Sequence, residues 1–154
     1  MKVSKQQIVE FIRDRGSRAT YVTSVCTGSI ILGAAGLLHG KRATSHWTTV
    51  DALAYFGATP VHQRVVEDGN VITGAGVSAG LDFGLTLLDR LTGRKNAEIA
   101  LLMSEYAPEL PFTGGSVETA RPEIRDEIAS RFRGFVKEVE TLRPLPAAAG
   151  ARTV

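Results

Sequence analysis

A chain of 154 residues with 44% hydrophobic and 22% charged residues suits one globular domain and can bury a core without disulfides or a structural metal. Its net charge of +2, with acids and bases interleaved, argues against nucleic acid as a partner, and no run approaches the roughly 20 apolar residues of a membrane span. One cysteine, Cys26, excludes a disulfide framework, and His39, His46 and His62 lack ligand spacing, so no metal site is expected.

The N-terminal MKVSKQQIVEF has no apolar run behind its charges, so it reads as a cytoplasmic start and not as a signal peptide. Ile8, Phe11 and Ile12 recur at helical spacing before Gly16, which predicts a first helix over 4–15. The β-branched run 20–25 predicts a strand, and 27–38 a helix with Gly40 just past its end. A short strand over 42–46 follows, then a helix over 48–56 stopped by Gly57. Segments 64–67 and 71–73 flank Asp68-Gly69-Asn70, the pattern of a hairpin with Gly69 at positive φ. Leu81, Leu85, Leu88 and Leu91 predict a helix ended by Gly93, and Ile99, Leu102, Met103 and Tyr106 predict the next. Beyond a Pro- and Gly-containing loop, Ile124, Ile128, Phe132, Phe135 and Val139 define a long amphipathic helix. The organisation is a single α/β domain over 1–143 with a mainly parallel sheet, followed by a disordered tail over 144–154.

The chemistry concentrates where the first strand meets the second helix. In Thr23-Ser24-Val25-Cys26-Thr27-Gly28-Ser29 a β-rich run ends on the thiol and a helix of small residues begins at once. That is the layout of a nucleophile elbow, with cysteine where hydrolases often carry serine. A thiol at a helix start faces unpaired backbone N–H groups and the positive end of the helix dipole, which favour negative charge on sulfur. The amide of Thr27 is placed to stabilise negative charge developing on a substrate. Without the elbow, Cys26 would read as a buried small hydrophobe. Gly28 is expected to bring the helix close to the strand, and Gly33 to Gly36 to lay it on the sheet.

The second candidate is His46. Strand 20–25, helix 27–38 and strand 42–46 read as a βαβ unit with parallel strands, so Cys26 and His46 share the carboxyl edge where sites form in open α/β sheets. A histidine there can take a proton or position water; equally, it can simply end a strand beside Trp47. His39 and His62 read as surface residues in turns. Asp82 reads as a helix N-terminal charge with Ser78 as cap. Tyr106 and Phe112 fit either a pocket wall or the core.

Several separated motifs then point one way. Val25-Cys26-Thr27-Gly28, Ala35-Gly36-Leu37-Leu38, Gly40-Lys41-Arg42-Ala43-Thr44-Ser45-His46-Trp47 and Gly76-Val77-Ser78-Ala79-Gly80-Leu81-Asp82-Phe83 resemble the PfpI superfamily. That superfamily has the glutamine-amidotransferase-like fold shared with the parkinsonism-associated deglycase. Glu105-Tyr106-Ala107-Pro108 with Pro111-Phe112 resembles its isonitrile hydratase branch. The resemblance runs from about Ile8 to Ala120 and implies a flavodoxin-like α/β sandwich, a homodimer, a small-molecule substrate and no cofactor. It implies that Cys26 attacks an isonitrile carbon, that Thr27 assists with protons or the oxyanion, and that His46 lies near the thiol.

The resemblance also implies a family region of roughly 70 to 80 residues ahead of the first helix, carrying a central strand and an acidic side chain near the cysteine. Without it, the strand 20–25 is expected to expose an edge, which a complementing chain could cover. The resemblance leaves two other functions open: the ligand-sensing domain of a transcription regulator, and a stress-response protein with deglycase-type chemistry.

Overall fold

The structure is a computed structural model and describes residues 4–142 and 144–147. Helix α1 (Lys5–Gly16) starts from a capping box, in which the Ser4 hydroxyl accepts the Gln7 amide and the Gln7 side chain accepts the Ser4 amide. Then follow β1 (Val22–Val25), α2 (Gly28–Ala34), β2 (Arg42–Ala43), a 3-10 helix (Asp51–Phe56), β3 (Thr59–Pro60), β4 (Val65–Asp68) and β5 (Val71–Gly74). Three helices complete the chain: α3 (Ala79–Thr92), α4 (Arg94–Met103) and α5 (Pro122–Glu140).

The hydrophobic strand β5, buried along its whole length, is the centre of a three-stranded sheet in the order β1-β5-β4. It pairs parallel with β1 and antiparallel with β4. The hairpin forms as the turn chemistry requires: Asp68 pairs with Val71, leaving Gly69 and Asn70 as the loop, with Gly69 at φ 61°. Strand β1 has β5 on one side and no strand on the other among the described residues, which leaves the expected edge.

The two strands of the expected βαβ unit, 20–25 and 42–46, lie in separate ladders. Strand β2 is two residues long and pairs parallel with β3 in a separate ladder. The Thr44 amide donates to the Thr73 hydroxyl at 2.9 Å, so beyond Ala43 a side chain of β5 replaces a ladder carbonyl. With β4 antiparallel to β5 the main sheet is mixed, two of the three ladders among the described residues are parallel, and the α/β architecture holds.

Two helices are shorter than their apolar patterns suggest. Gly36 takes φ 74° and ends α2 at the Ala35 cap, not at residue 38. The segment expected as a helix over 48–56 becomes a single 3-10 element closed by Gly57 at φ 73°. Ile30, Leu32 and Ala34 of α2 join Leu53, Phe56 and Val139 in one buried cluster. A Cβ on Gly33 would stand 2.6 Å from the Phe56 ring, so the small residue brings α2 against the 3-10 helix and not the sheet. At Gly28 a Cβ would meet Ser24 at an ordinary 3.5 Å, so strand contact there does not demand glycine. Of the tail expected to be disordered, 148–154 lie outside the described residues. Residues 144–147 are held: the Leu145 amide donates to the Ala34 carbonyl at 2.9 Å, and Arg13 donates to the Pro146 carbonyl at 2.6 Å.

Gly33→Ala tests the helix contact. An alanine gains about 0.5–1 kcal/mol of helix preference, against about 1–3 kcal/mol for overpacking a filled core. Urea unfolding is expected to give a net loss of about 1–2 kcal/mol; a stabilised variant would contradict the packing.

Candidate active site

The elbow is built from the backbone outward. Between β1 and α2, Cys26 takes φ 59°, one of two non-glycine residues at positive φ among those described. Such a conformation costs about 1–3 kcal/mol and persists only where its surroundings hold it. Four hydrogen bonds do so. The Cys26 amide is shared between the carbonyls of Gly74 at 3.0 Å and Ala75 at 2.7 Å. Its carbonyl accepts the hydroxyls of Ser29 at 3.2 Å and Ser45 at 3.1 Å. Both serines are fully buried, and Ser45 is held in turn by Thr49 at 2.8 Å. The cysteine itself is half-buried.

Thr27 is the N-cap of α2, yet its side chain makes no capping bond. It opens, with Gly28, onto an apolar groove of about 460 Å³ between α1, α2 and α5, walled by Ile8, Ile31, Phe135 and Leu142. His46 faces a different space, a polar cleft of about 340 Å³ shared with Trp47, Arg64, Gly76, Ser116 and Glu118. Cys26 is among the lining residues of neither, although its neighbour Thr27 lines the groove and Ser45, bonded to its carbonyl, lines the cleft. Thr27 and His46 thus line different spaces. His46 arrives at the elbow through Ser45, its neighbour, which grips the Cys26 carbonyl; strand adjacency to β1 plays no part. The ring of His46 stacks on Phe132 with centroids 5.0 Å apart, and burial pushes its pKa below the ordinary histidine value. It therefore stays neutral further into acid than a free histidine.

A second polar cluster borders the cleft. The Arg64 guanidinium pairs with Asp82 through Nε and donates to Ser78 Oγ at 3.3 Å, while the Tyr106 hydroxyl donates to Asp82 at 2.7 Å. The Arg64 hydrogen bond holds the Asp82 carboxyl below the usual carboxylate range, with Tyr106 adding to it. Asp82 and Ser78 begin α3 as expected, but Ser78 makes no cap bond and both reach across to β4's approach. Phe112 is 79% exposed and belongs to neither wall nor core. Among the described residues no three His, Cys, Asp or Glu side chains gather as metal ligands, and no helix is long and apolar enough to cross a membrane.

Cys26 at positive φ on a strand-to-helix turn within an α/β sheet has the backbone layout of an elbow. Residues 2–90 match the DJ-1/PfpI family, and the chain belongs to it. Isonitrile hydratase of Pseudomonas putida is 53% identical over 132 residues, covering 86% of this chain and 58% of that protein. The HTH-type transcriptional regulator CdhR of Pseudomonas aeruginosa is 32% identical over 127 residues, 81% of this chain and 35% of that one. A solved THiJ/PfpI family protein from Pseudomonas syringae superposes with a TM-score of 0.85 at 52% identity, over 90% of this chain and 57% of its own. Schizosaccharomyces pombe DJ-1 superposes at 0.52, with 27% identity, over 68% and 52%. The fold is thus the flavodoxin-like α/β fold of that family, and the chain spans less than two thirds of the length of these relatives.

The Arg64–Asp82 pair carries a pH signature. Its folded-state carboxyl pKa is depressed, so its stabilisation is complete above the unfolded value of about 3.9 and is lost as pH falls through the folded one. Asp82→Asn is expected to lower stability at neutral pH by about 1 kcal/mol or less, since the pair is partly exposed. The gap to wild type should close in acid; urea unfolding that shows an unchanged gap there would contradict the assignment.

Proposed function

We propose that this chain carries the nucleophile of an isonitrile hydratase, converting R–NC and water to the N-substituted formamide R–NH–CHO. The observation that carries the reading is the left-handed Cys26 between β1 and α2, in a chain so close in sequence to the P. putida hydratase. The sulfur bonds to the terminal carbon of the isonitrile and the thiol proton ends on that carbon, giving the thioimidate R–N=CH–S. Water oxygen then adds to the carbon and one water proton goes to nitrogen. The C–S bond breaks, the remaining hydroxyl proton returns to sulfur, and the formamide leaves.

In this reading Cys26 is the nucleophile, Thr27 contributes its amide or hydroxyl where charge develops at the elbow, and His46 faces the bound intermediate from the cleft. The reaction needs a small-molecule substrate and no cofactor. No carboxylate among the described residues bonds the thiol, so the acidic partner implied by the family resemblance would come from elsewhere. A homodimer or a complementing chain in the cytoplasm completes the proposal, with the open edge of β1 as the surface that motivates it.

The likeness to the regulator CdhR favours a second reading, a ligand-sensing domain that binds without turnover. Incubation with cyclohexyl isonitrile, followed by NMR detection of the formamide, separates the two. Product from the wild type and none from Cys26→Ala is expected. Saturable binding of the isonitrile without product would reject the hydratase for residues 1–154 and support the sensor.

A further inference from the structure

We propose that Thr48 fixes the tautomer of His46, so that the imidazole meets the cleft as a neutral Nε2–H hydrogen-bond donor and not as a base. Its acceptor is the nitrogen of the Cys26-bound thioimidate. The acceptor rests on the hydratase reading above; the tautomer does not.

The geometry begins at Nδ1. The Thr48 amide lies 3.4 Å from that nitrogen, and an amide N–H can only donate. The ring nitrogen therefore presents its lone pair to Thr48. The Thr48 hydroxyl, 2.7 Å from the same atom, then donates as well. A neutral imidazole whose Nδ1 accepts carries its proton on Nε2.

The rest of the ring is clamped. Phe132 stacks on it with an interplanar angle of 19°, and Trp47 lies tilted with centroids 5.9 Å apart. The carbon bonded to Nε2, Cδ2, lies 3.6 Å from where a Cβ on Gly76 would stand, so this edge borders the Gly76 wall of the cleft. Nε2 has no hydrogen-bond partner among the described residues. The ring is only partly buried, so this donor is open to whatever occupies the cleft, water or a ligand.

That donor suits one stage of the reaction. When water adds to the thioimidate, negative charge develops on the imine nitrogen before it gains its proton. A fixed N–H presented to that nitrogen from the cleft would lower the barrier without moving. A base at the same point would have to shed a proton it already holds. Thr48 is accordingly a positioning residue, acting through His46.

The test uses the whole chain with 15N label, above the ordinary histidine pKa of about 6.5, where long-range proton–nitrogen spectra report which ring nitrogen carries hydrogen. Wild type and Thr48→Ser are expected to show Nε2–H. Thr48→Asp places an acceptor-only carboxylate against Nδ1 and is expected to put a proton there. Thr48→Val loses one hydrogen bond to the ring, and formamide turnover (kcat/KM) is expected to fall roughly three- to tenfold, with Thr48→Ser restoring it. A wild type with its proton on Nδ1, or Thr48→Asp retaining Nδ1 bare, would overturn the tautomer assignment. Unchanged turnover in Thr48→Val would overturn the positioning role. Nε2–H in a chain that makes no formamide would uphold the tautomer and reject the assigned acceptor, so the two claims fail separately.

Discussion

A left-handed residue that is not glycine must be held in place, and at Cys26 the surrounding chain is arranged to hold it. The φ of 59° turns the backbone from β1 into α2 within one residue. Its amide is fixed by two carbonyls at the end of β5, and its carbonyl by two buried hydroxyls. Those four groups come from three separate stretches, the β5 terminus, α2 and the segment after β2. The strained residue is therefore where these stretches are registered against one another. Relaxing it would free Ser45, and through Ser45 the position of His46.

The elbow also separates two environments. On one side Thr27 and Gly28 meet an apolar groove between helices; on the other Ser45 and His46 meet a polar cleft. An isonitrile has a matching division, an organic group on nitrogen and a reactive terminal carbon. Hydration asks for a nucleophile at carbon and a donor at nitrogen. A thiol on the turn between Ser24 and Gly28, whose neighbours Thr27 and Ser45 line the two spaces, is the group proposed for the carbon, and the neutral imidazole the group proposed for the nitrogen.

Much of this was legible in the sequence where local chemistry decides. Gly69 specified the hairpin, because only a residue tolerant of positive φ opens that two-residue loop. The β-run ending at Cys26, followed by small residues, specified the elbow. Helices α3, α4 and α5 followed from their apolar stripes and glycine or proline stops. What the sequence did not show was pairing over distance. Strand β1 pairs with β5, nearly fifty residues on, and not with the nearer β2, because Val71–Gly74 can be buried along its whole length, with the one polar side chain, Thr73, hydrogen-bonded to the Thr44 amide, while Arg42 stays exposed. Nothing in the sequence sets Ser45 apart from its neighbours, because its bond to the Cys26 carbonyl spans 19 residues and exists only in the folded chain. Arg64 gave no local sign of its union with Asp82 and Tyr106, since the three are brought together only by tertiary packing. Thr48 was likewise read as the start of a helix, and its contact with the His46 ring depends on a turn that hydrophobic periodicity does not encode.

The central claim is that the thiol of Cys26 forms a covalent bond to isonitrile carbon. Rapid acid quench of the chain mixed with excess isonitrile, followed by peptide mass spectrometry, tests it without reference to turnover. The account predicts an addition equal to the whole isonitrile on the peptide containing Cys26, with no atom lost. An unmodified Cys26 peptide alongside formamide production, or the adduct on any other residue, would contradict it.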